Sequence, residues 1–569
     1  MHDPLLAHTW AYVFLTQLRE LGVGRVCIAP GSRSTVLAIQ AARVFGGATT
    51  VHYDERGLAF FALGAAKMSQ MPTCIITTSG TAVANLLPAV VEAHQAHVPL
   101  IVISADRPPE LRDRGSNQTI DHNRIFGSYA SWYIDIPCAS SDIALDVVRD
   151  WAVQARDQSN GGYPIHVNWM FREPFLPEDG DVEVVLSQHP IKSVASQRVS
   201  SSSDISPLLS AIEGSRRGVC VVGELESQSE TDQVISCIRS LGWATFADSL
   251  SNIRCNSTVP TIVSYGDLAL LQELPEGFCP DTVLFFGGRV VSKRITSLLR
   301  ASPSTRVIGV SSRRSNVNPL CGVSERFVTD YGALNSRVSA LTSNQEPGFV
   351  DTIVSRSKAV AGVLESELSL QESDPLSEPS LLRAIARLTP AGRLLMVGNS
   401  MPIRDFDMFA APRKDPPYVF ANRGASGIDG VVATAFGASC GSQRDCTLLV
   451  GDLSLLHDLN SLGFAREADR SITIIVINND GGGIFSLLPV ARHASFERYF
   501  GTPHGVSFAD FARGFGISYS QPRTYGEFEG VYSYALQAKR VSLIEVVTDR
   551  AANAELHRVL QKSINMVLK

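Results

Sequence analysis

The stretch from residue 447 to residue 488 constrains the fold more than any other part of the chain. It contains two apolar runs, Leu448–Val450 and Ile472–Ile477, joined by an amphipathic segment. The first run ends at Gly451-Asp452, and the second ends at Asn478-Asn479 with three glycines behind it. Apolar strands that alternate with helices predict a doubly wound parallel sheet, which holds its ligands at the carboxyl ends of the strands. We therefore expect Asp452 and Asn479 to lie together at one edge of such a sheet.

The residue types at these strand ends predict a site for a metal ion and a diphosphate. Asp452 offers a carboxylate oxygen, Asn479 an amide oxygen, and Gly481 a backbone carbonyl in a glycine-rich turn. A few hard oxygen ligands suit Mg²⁺ completed by phosphate oxygens and water, and Mn²⁺ accepts the same ligand types. The competing interpretation is a strand pair that ends by chance in Asp and Asn, because both are common turn formers.

A second group of segments lies near the amino end. The segment Val26–Ser34 is typical of a strand that runs into a Gly-Ser turn and then a helix. Another helical pattern, Leu58–Met68, begins just after Glu55, and the apolar run Thr73–Thr77 follows it. A Glu at the start of a helix is favoured by the helix dipole alone, so this position by itself does not identify a function.

Together the two groups resemble thiamine diphosphate enzymes. In those enzymes a Gly-Asp-Gly sequence is followed, one helix and one strand later, by Asn-Asn, and this motif holds a divalent metal and the diphosphate. Asp452 and Asn479 match the motif, although Leu453 stands where the motif has its second glycine. Glu55 matches the glutamate that contacts the aminopyrimidine ring of the cofactor. The resemblance implies that Glu55 is the catalytic residue of the proton relay that activates thiamine diphosphate.

Six motifs make the resemblance more specific. They are IAPGSRST at 28–35, DERG at 54–57, TSGTAVANLLPAV at 78–90, SADRPPELRDRGSNQTI at 104–120, GNSMPIRD at 398–405 and NRGASGIDG at 422–430. All are similar to segments of the 2-succinyl-5-enolpyruvyl-6-hydroxy-3-cyclohexene-1-carboxylate synthases (SEPHCHC synthases) of menaquinone biosynthesis. The similarity covers roughly 1–185 and 375–569 and is weak between them. It implies decarboxylation of 2-oxoglutarate and 1,4-addition of the remaining four-carbon unit to isochorismate.

The resemblance also implies which residues surround the cofactor and the substrates. Both substrates are dianions, and Arg binds carboxylates well through two parallel hydrogen bonds. Taken singly, each such cation is more readily explained by a surface ion pair. The expected cofactor contacts are Glu55, Asn399, Ser400, Ile428 (wedged between the cofactor rings), Gly451, Asp452, Leu453, Ser454, Asn479, Ile484 and Phe485. The expected isochorismate contacts are Ser32, Arg33, Arg107, Asn117, Gln118 and Lys293, the expected succinyl contacts are Ser400, Arg404 and Arg423, and Leu488 also belongs to the substrate pocket.

We expect an α/β chain built from three doubly wound parallel-sheet domains of the thiamine diphosphate enzyme type. The predicted domains are 1–188 for aminopyrimidine binding, 207–345 as a central Rossmann-like domain, and 375–569 for diphosphate and metal binding. A Ser-rich stretch, 193–206, and a polar stretch, 366–380, are the predicted linkers. The central part contains neither GxGxxG nor GxxxxGK[ST], so no nucleotide site is predicted there.

Composition excludes several other classes of protein. A net charge of −6 over 569 residues gives no sign of nucleic-acid binding. No apolar run approaches the ~20 residues that cross a bilayer. The start MHDPLLAHTW lacks the basic region and cleavage site of a signal peptide, and the cysteines form no CxxC pair. We therefore expect a cytoplasmic enzyme with reduced thiols that binds neither nucleic acid nor membrane.

Two other functions fit part of the pattern. An acetohydroxyacid synthase or a simple 2-oxoacid decarboxylase would share Glu55, Asp452 and Asn479 but would need fewer cations, because pyruvate carries one carboxylate. A non-catalytic thiamine-fold binding protein would be expected to lack one of those three residues, and all are present. The resemblance further implies a homodimer or homotetramer with active sites at the dimer interface, where Glu55 of one chain faces Asp452 of its partner.

Overall fold

The computed structural model describes residues 4–177, 204–275, 279–298, 304–312, 323, 325–342 and 344–569. These residues form three parallel β-sheets, each accompanied by helices, so the predicted α/β class is confirmed. Within these ranges no helix is both long enough and apolar enough to cross a bilayer. The predicted linker at 193–206 lies outside the described residues as far as residue 203.

The first sheet has apolar layers on both faces. Val26 and Ile28 belong to the same core cluster as Trp10, whereas Cys27 between them packs on the opposite face with Leu58. A sheet covered on both faces explains why its strands are short uninterrupted apolar runs. Its strands are β1 (Arg25–Ile28), β2 (Thr49–Val51), β3 (Thr73–Thr77), β4 (Leu100–Asp106), β5 (Tyr133–Ile136) and β6 (Ile165–Met170), in the order β2-β1-β3-β4-β6-β5. The accompanying helices are α1 (Pro4–Glu20), α2 (Thr35–Phe45), α3 (Glu55–Ser69), α4 (Thr81–Ala84), α5 (Leu87–Ala96) and α6 (Leu145–Ser159).

The second sheet lies in the central part of the chain. Strands expected at 218–223, 283–286 and 307–310 are found within one residue of their predicted ends. The strands are β7 (Gly218–Val222), β8 (Ala244–Ala247), β9 (Thr282–Phe286), β10 (Arg306–Ser311) and β11 (Glu325–Val328), in the order β11-β10-β9-β7-β8. The helices are α7 (Ser206–Gly214), α8 (Gln228–Leu241), α9 (Gly266–Ala269), α10 (Lys293–Leu298), α11 (Tyr331–Val338) and α12 (Phe349–Glu367).

The third sheet brings the two motif strands side by side. The strands are β12 (Leu394–Val397), β13 (Tyr418–Phe420), β14 (Cys446–Gly451), β15 (Ile472–Asn478), β16 (Ser518–Ser520) and β17 (Val541–Val547), in the order β13-β12-β14-β15-β17-β16. The helices are α13 (Glu378–Leu388), α14 (Met401–Phe409), α15 (Val431–Ser442), α16 (Asp452–His457), α17 (Ala509–Gly514), α18 (Tyr525–Gln537) and α19 (Arg550–Leu568). Gly451 of β14 is paired with Ile477 of β15. Asp452 and Asn479 therefore leave the sheet at the same edge, as the sequence predicts.

The polar stretch 366–380 is a shorter linker than predicted. Helix α12 continues to Glu367 and α13 begins at Glu378, so both ends of the stretch are helical. Ser377 caps α13 by accepting a hydrogen bond from the Ser380 backbone N–H. Glu378 is 1% exposed. A polar composition predicts solvent exposure only when the side chains have no buried hydrogen-bond partners. Glu378 has such partners, so its burial does not follow from the composition of the stretch.

Helices α3 and α15 join the first and third sheets through unusually close backbone contact. A Cβ on Gly437 of α15 would lie 1.9 Å from the Phe61 carbonyl oxygen of α3. A Cβ on Gly64 of α3 would lie 2.2 Å from the Thr434 carbonyl oxygen of α15. Each helix thus presents a glycine where the other helix's backbone passes. This contact fixes the start of α3, where Glu55 lies, relative to the third sheet.

We expect Gly437→Ala to destabilise the protein, because the added methyl group meets a backbone oxygen that cannot move independently of its helix. Overpacking of this kind costs about 1–3 kcal/mol. The matched control is Gly362→Ala in α12, where a Cβ meets nothing within 4 Å. Ala is favoured over Gly in a helix by about 0.5–1 kcal/mol. Thermal unfolding should show a lower melting temperature for Gly437→Ala only; equal melting temperatures would contradict the tight contact.

Candidate active site

Asp452 ties together the loops that follow β14 and β15. It begins α16 and is 3% exposed. Its Oδ2 accepts hydrogen bonds from the backbone N–H groups of Asn479 (3.2 Å) and Gly481 (2.9 Å). Its Oδ1 accepts from the Leu453 N–H (2.6 Å). The three residues predicted as metal ligands therefore meet at one edge of the third sheet.

The side-chain amide of Asn479 has a fixed orientation. Its Nδ2 donates to Glu378 Oε1 (2.9 Å), so its Oδ1 points the other way. This Oδ1 is buried and has no hydrogen-bond partner among the described residues. Leaving a buried polar atom unsatisfied costs about 1–3 kcal/mol, which a bound cation would offset. Asn479 therefore fits the predicted role of metal ligand.

Gly481 provides a turn that no other residue type fits. Its φ is +132°, and a Cβ there would lie 1.9 Å from the Gly501 carbonyl oxygen. The described residues contain no group of three or more His, Cys, Asp or Glu that could hold a metal ion. The predicted ligand set has one carboxylate, one amide oxygen and one carbonyl, all of them hard donors suited to Mg²⁺ or Mn²⁺.

Two arginines of the predicted succinyl pocket lie close to each other. Arg423 Nη1 donates to Asn399 Oδ1 (2.8 Å), and Arg404 donates to the carbonyl of Ser400. Burial and then the Arg423 guanidinium lower the pKa of Arg404. Ser400 has φ +71°, a left-handed conformation that residues other than glycine rarely adopt. The structure therefore brings these four predicted residues together where β12 leads into α14.

The other predicted cofactor contacts of the third sheet lie on the neighbouring loops. Ile428 is 38% exposed and Leu488 is 48% exposed, so each presents apolar surface to the outside. Phe485 packs edge-to-face on Phe500. Gly451, Leu453 and Ser454 flank Asp452 in sequence, and Ile484 and Phe485 belong to the 3₁₀ turn Gly483–Leu487 that follows Gly481.

A second pair of arginines lies at the end of the first sheet. Arg33 donates to the Phe171 carbonyl and to Glu173 Oε1, both at 2.9 Å. Arg107 donates to the Gln118 carbonyl (2.6 Å). Burial and then the Arg33 guanidinium lower the pKa of Arg107. Two cations predicted to bind isochorismate are therefore close enough to repel each other.

The loop that carries Gln118 is anchored to the neighbouring glycine turn. Gln118 has φ +53° and donates through Nε2 to the Ser79 carbonyl (3.0 Å). The adjacent Asn117 is exposed, and so is Ser32 beside Arg33. Gln118 contacts Arg107 through its carbonyl, whereas Ser32 and Asn117 are exposed, and their roles toward a substrate remain predictions.

Glu55 and Lys293 are not linked by a hydrogen bond or ion pair to either arginine pair within the described part of the chain. Glu55 begins α3, is half-buried, and accepts a hydrogen bond from Asn85 Nδ2 (3.4 Å). The cap of this helix is Asp54, whose side chain accepts the capping hydrogen bonds, so Glu55 is not needed for capping. Lys293 begins α10 and is exposed. The roles of both residues remain predictions.

Comparison with models of protein families extends the similarity to thiamine diphosphate enzymes into the central part of the chain. The model of the N-terminal TPP binding domain of thiamine pyrophosphate enzymes matches residues 8–125, and that of the C-terminal TPP binding domain matches residues 405–546. A model described as the middle domain of thiamine pyrophosphate enzymes matches residues 195–397. All three sheets therefore contain segments of thiamine diphosphate enzyme type.

Relatives of named activity match over nearly their full length. The SEPHCHC synthase of Rubrobacter xylanophilus is 41% identical to this chain, covering 98% of each protein. The chain belongs to the SEPHCHC synthase family. The synthase of Salinibacter ruber is 38% identical over 100% of this chain and 98% of its own. That of Geobacillus thermodenitrificans is 38% identical over 97% of this chain and 95% of its own.

In this member of the SEPHCHC synthase family, the loop that carries Arg423 is held by residues from the other two sheets. Glu92 of α5 is 3% exposed and accepts hydrogen bonds from the backbone N–H groups of Gly424 and Ala425. Arg289, which follows β9, donates to the Arg423 carbonyl. Sequence reasoning missed both residues, because nothing near them in the chain indicates a partner more than a hundred residues away.

His504 is a second residue that sequence reasoning missed. Its Nε2 lies 3.1 Å from Asp452 Oδ2. Its Nδ1 accepts a hydrogen bond from the Val506 N–H (3.0 Å), so we assign the proton to Nε2. His504 Nε2 then donates to Asp452 Oδ2. The sequence Thr-Pro-His-Gly at 502–505 is typical of a turn, and this was the feature that could have drawn attention to His504.

A buried ionisable cluster lies behind Asn479. Burial and then the Asp405 carboxylate raise the pKa of Glu378 to about 7. Asp405 of α14 is fully buried, and His557 Nε2 of α19 lies 3.3 Å from its Oδ1. Burial alone would lower the pKa of His557, but Asp405 raises it overall. The cluster connects α13, α14 and α19 behind the predicted metal ligand.

The raised pKa of His557 predicts pH-dependent stability. A histidine with a raised folded-state pKa stabilises the fold below its unfolded pKa of about 6.5, and this contribution is lost as pH rises through the folded pKa. His557→Gln should therefore lower the melting temperature more at pH 6 than at pH 9. The control is His8→Gln, because burial lowers the pKa of His8 and the trend should reverse. A pH-independent effect of His557→Gln would refute the ion pair.

Proposed function

We propose that this chain catalyses the thiamine diphosphate-dependent decarboxylation of 2-oxoglutarate and the 1,4-addition of the four-carbon unit to isochorismate. The products are 2-succinyl-5-enolpyruvyl-6-hydroxy-3-cyclohexene-1-carboxylate and CO₂, in menaquinone biosynthesis. The observation that carries the proposal is the near full-length relationship to synthases of this name. The cysteine pattern favours a cytoplasmic location.

The two arginine pairs support this reaction over that of an acetohydroxyacid synthase. Arg33 and Arg107 repel each other, as do Arg404 and Arg423. Pairing like charges is unfavourable unless an anion binds between them. Glu173, which is 66% exposed, already offsets part of the charge of the first pair. Two dianionic substrates would supply carboxylates to both pairs, whereas pyruvate-derived units would supply fewer. Arg33 and Arg107 would bind isochorismate with Ser32, Asn117, Gln118 and Lys293, and Arg404 and Arg423 would bind the succinyl carboxylate with Ser400, with Leu488 lining the pocket.

The metal and cofactor would be held by the third sheet. Asp452, the unpartnered Oδ1 of Asn479 and the Gly481 carbonyl would bind Mg²⁺ or Mn²⁺. Bound thiamine diphosphate supplies the electron sink for decarboxylation. Glu55 would hold and move a proton at the aminopyrimidine ring. The remaining cofactor contacts would be Asn399, Ser400, Ile428, Gly451, Leu453, Ser454, Ile484 and Phe485.

The working site would form between two chains, in a homodimer or homotetramer. Apolar side chains are exposed beside the predicted site loops of the first and third sheets: Tyr53 next to Asp54, and Ile428 and Leu488 on the third. Exposed apolar surface of this kind marks interaction sites. A closed twofold dimer would cover it and produce two equivalent sites.

We expect Arg404→Ala and Arg107→Ala to separate the two half-reactions. Truncating one partner of a buried charge pair costs about 2–5 kcal/mol. Arg404→Ala should slow CO₂ release from carboxyl-labelled 2-oxoglutarate even when isochorismate is omitted. Arg107→Ala should retain that release and lose addition to isochorismate. Equal damage to decarboxylation by both variants would show that the pockets are wrongly assigned, and formation of the joined product by the wild type with either substrate omitted would exclude the reaction.

Mixed dimers should reveal a site shared between chains. Glu55→Gln and Asp452→Asn should each be inactive alone. In a mixed dimer one shared site carries both defects and the other carries none, so random pairing should restore about a quarter of wild-type activity. The control is each variant paired with itself. If isolated mixed dimers are folded but inactive, Glu55 and Asp452 belong to the same chain's site.

A further inference from the structure

Glu378 contacts the predicted metal ligand from behind. It is the first residue of α13 and is 1% exposed. Its Oε1 accepts two hydrogen bonds, one from Asn479 Nδ2 (2.9 Å) and one from Thr548 Oγ1 (3.0 Å). Glu378 is separated from Asn479 by about a hundred residues, and its role is not part of the metal motif. Because Oε1 accepts from the Thr548 hydroxyl as well, it acts as an acceptor, and the NH₂ end of the Asn479 amide faces it.

This contact decides which end of the Asn479 amide faces the metal site. An asparagine amide can be turned over to exchange its oxygen and nitrogen, and only the oxygen binds a cation. With Nδ2 held by Glu378, the buried Oδ1 points away from Glu378 and has no partner among the described residues. The reversed amide would place Oδ1 against Glu378 Oε1, two acceptors facing each other. Glu378 thus selects the ligating orientation.

The neighbouring asparagine provides an internal comparison. Asn478 Nδ2 donates to Glu545 Oε1 (2.6 Å), and Glu545 is also 1% exposed. Asn478 Oδ1, however, accepts a hydrogen bond from the Asp480 N–H (3.2 Å). Both asparagines at the end of β15 are therefore oriented by a buried glutamate. Only Asn479 is left with an unpartnered oxygen, which assigns a ligand role to it and a structural role to Asn478.

We propose that Glu378 is a positioning residue for the metal–diphosphate site, which fixes the Asn479 amide with its oxygen toward the cation. The proposal rests on the metal site of the proposed function. Groups that orient metal ligands in this way typically contribute 10–100-fold to metal affinity. Because Glu378 also approaches Thr548 and Asp405, its position is set by α14 and the segment after β17. The orientation of the ligand is therefore built into the packing of the third sheet.

The test measures Mn²⁺ affinity by electron paramagnetic resonance. The titration is done at saturating thiamine diphosphate and without substrate. Glu378→Asp keeps the carboxyl group but withdraws it by one methylene, and it should weaken Mn²⁺ binding about 10-fold or more. Glu378→Gln can still present an acceptor oxygen to Asn479 Nδ2 and should retain most of the affinity. The matched control, Glu545→Asp, makes the same change behind Asn478 and should leave Mn²⁺ affinity within about twofold of the wild type.

The outcomes separate this proposal from the metal site itself. A wild-type protein that binds no Mn²⁺ with thiamine diphosphate would overturn both. Wild-type binding that is unchanged in folded Glu378→Asp would overturn the proposal alone. Equal losses in Glu378→Asp and Glu545→Asp would also overturn it, because the effect would then be general loosening of the strand end. Where Glu378→Asp does not fold, Thr548→Val removes the second hydrogen bond to Oε1 and should lower Mn²⁺ affinity by a smaller factor.

Discussion

The arrangement of the site depends on the hydrogen bonds that the Asp452 carboxylate accepts. One oxygen receives the backbone N–H groups of Asn479 and Gly481, and so joins the end of β14 to the loop after β15. His504 donates to the same oxygen. Three donors on one oxygen stabilise a carboxylate that is almost fully buried, and they leave the second oxygen with a single backbone donor. The loop can then approach the Gly501 carbonyl closely, because Gly481 adopts a backbone conformation that other residues rarely adopt.

The four arginines predicted to bind the substrates are oriented mainly by neutral groups. Arg107 donates to the Gln118 carbonyl, Arg404 to the Ser400 carbonyl, and Arg423 to the Asn399 amide oxygen. Carbonyl and amide oxygens fix a guanidinium without neutralising its charge. Arg33 is the exception, because Glu173 pairs with it, and that glutamate side chain is 66% exposed. Positive charge is thus fixed in place and available to anions.

Local sequence patterns were sufficient to predict the sheet and the two strand ends. The apolar runs that lead to Asp452 and Asn479 are continuous, so a short window of sequence specifies both strands. It also specifies the edge of the sheet at which they end. Glu378 could not be predicted in this way. It lies in a polar stretch that is typical of a linker, and its burial depends on partners in the segments that follow β15 and β17. Glu92 and Arg289 were missed for the same reason, since their partners on the Arg423 loop belong to another sheet.

The Arg423 loop is the place where all three sheets of the chain meet. Glu92 from the first, Arg289 from the second and Asn399 from the third each hold one part of it. A substitution that shifts any one sheet should therefore move Arg423, a cation predicted to bind substrate, even when the substitution is far from this loop. Exchange of the central part between distant family members would have to preserve the hydrogen bonds of Arg289 to the Arg423 carbonyl and to Gln95 Oε1.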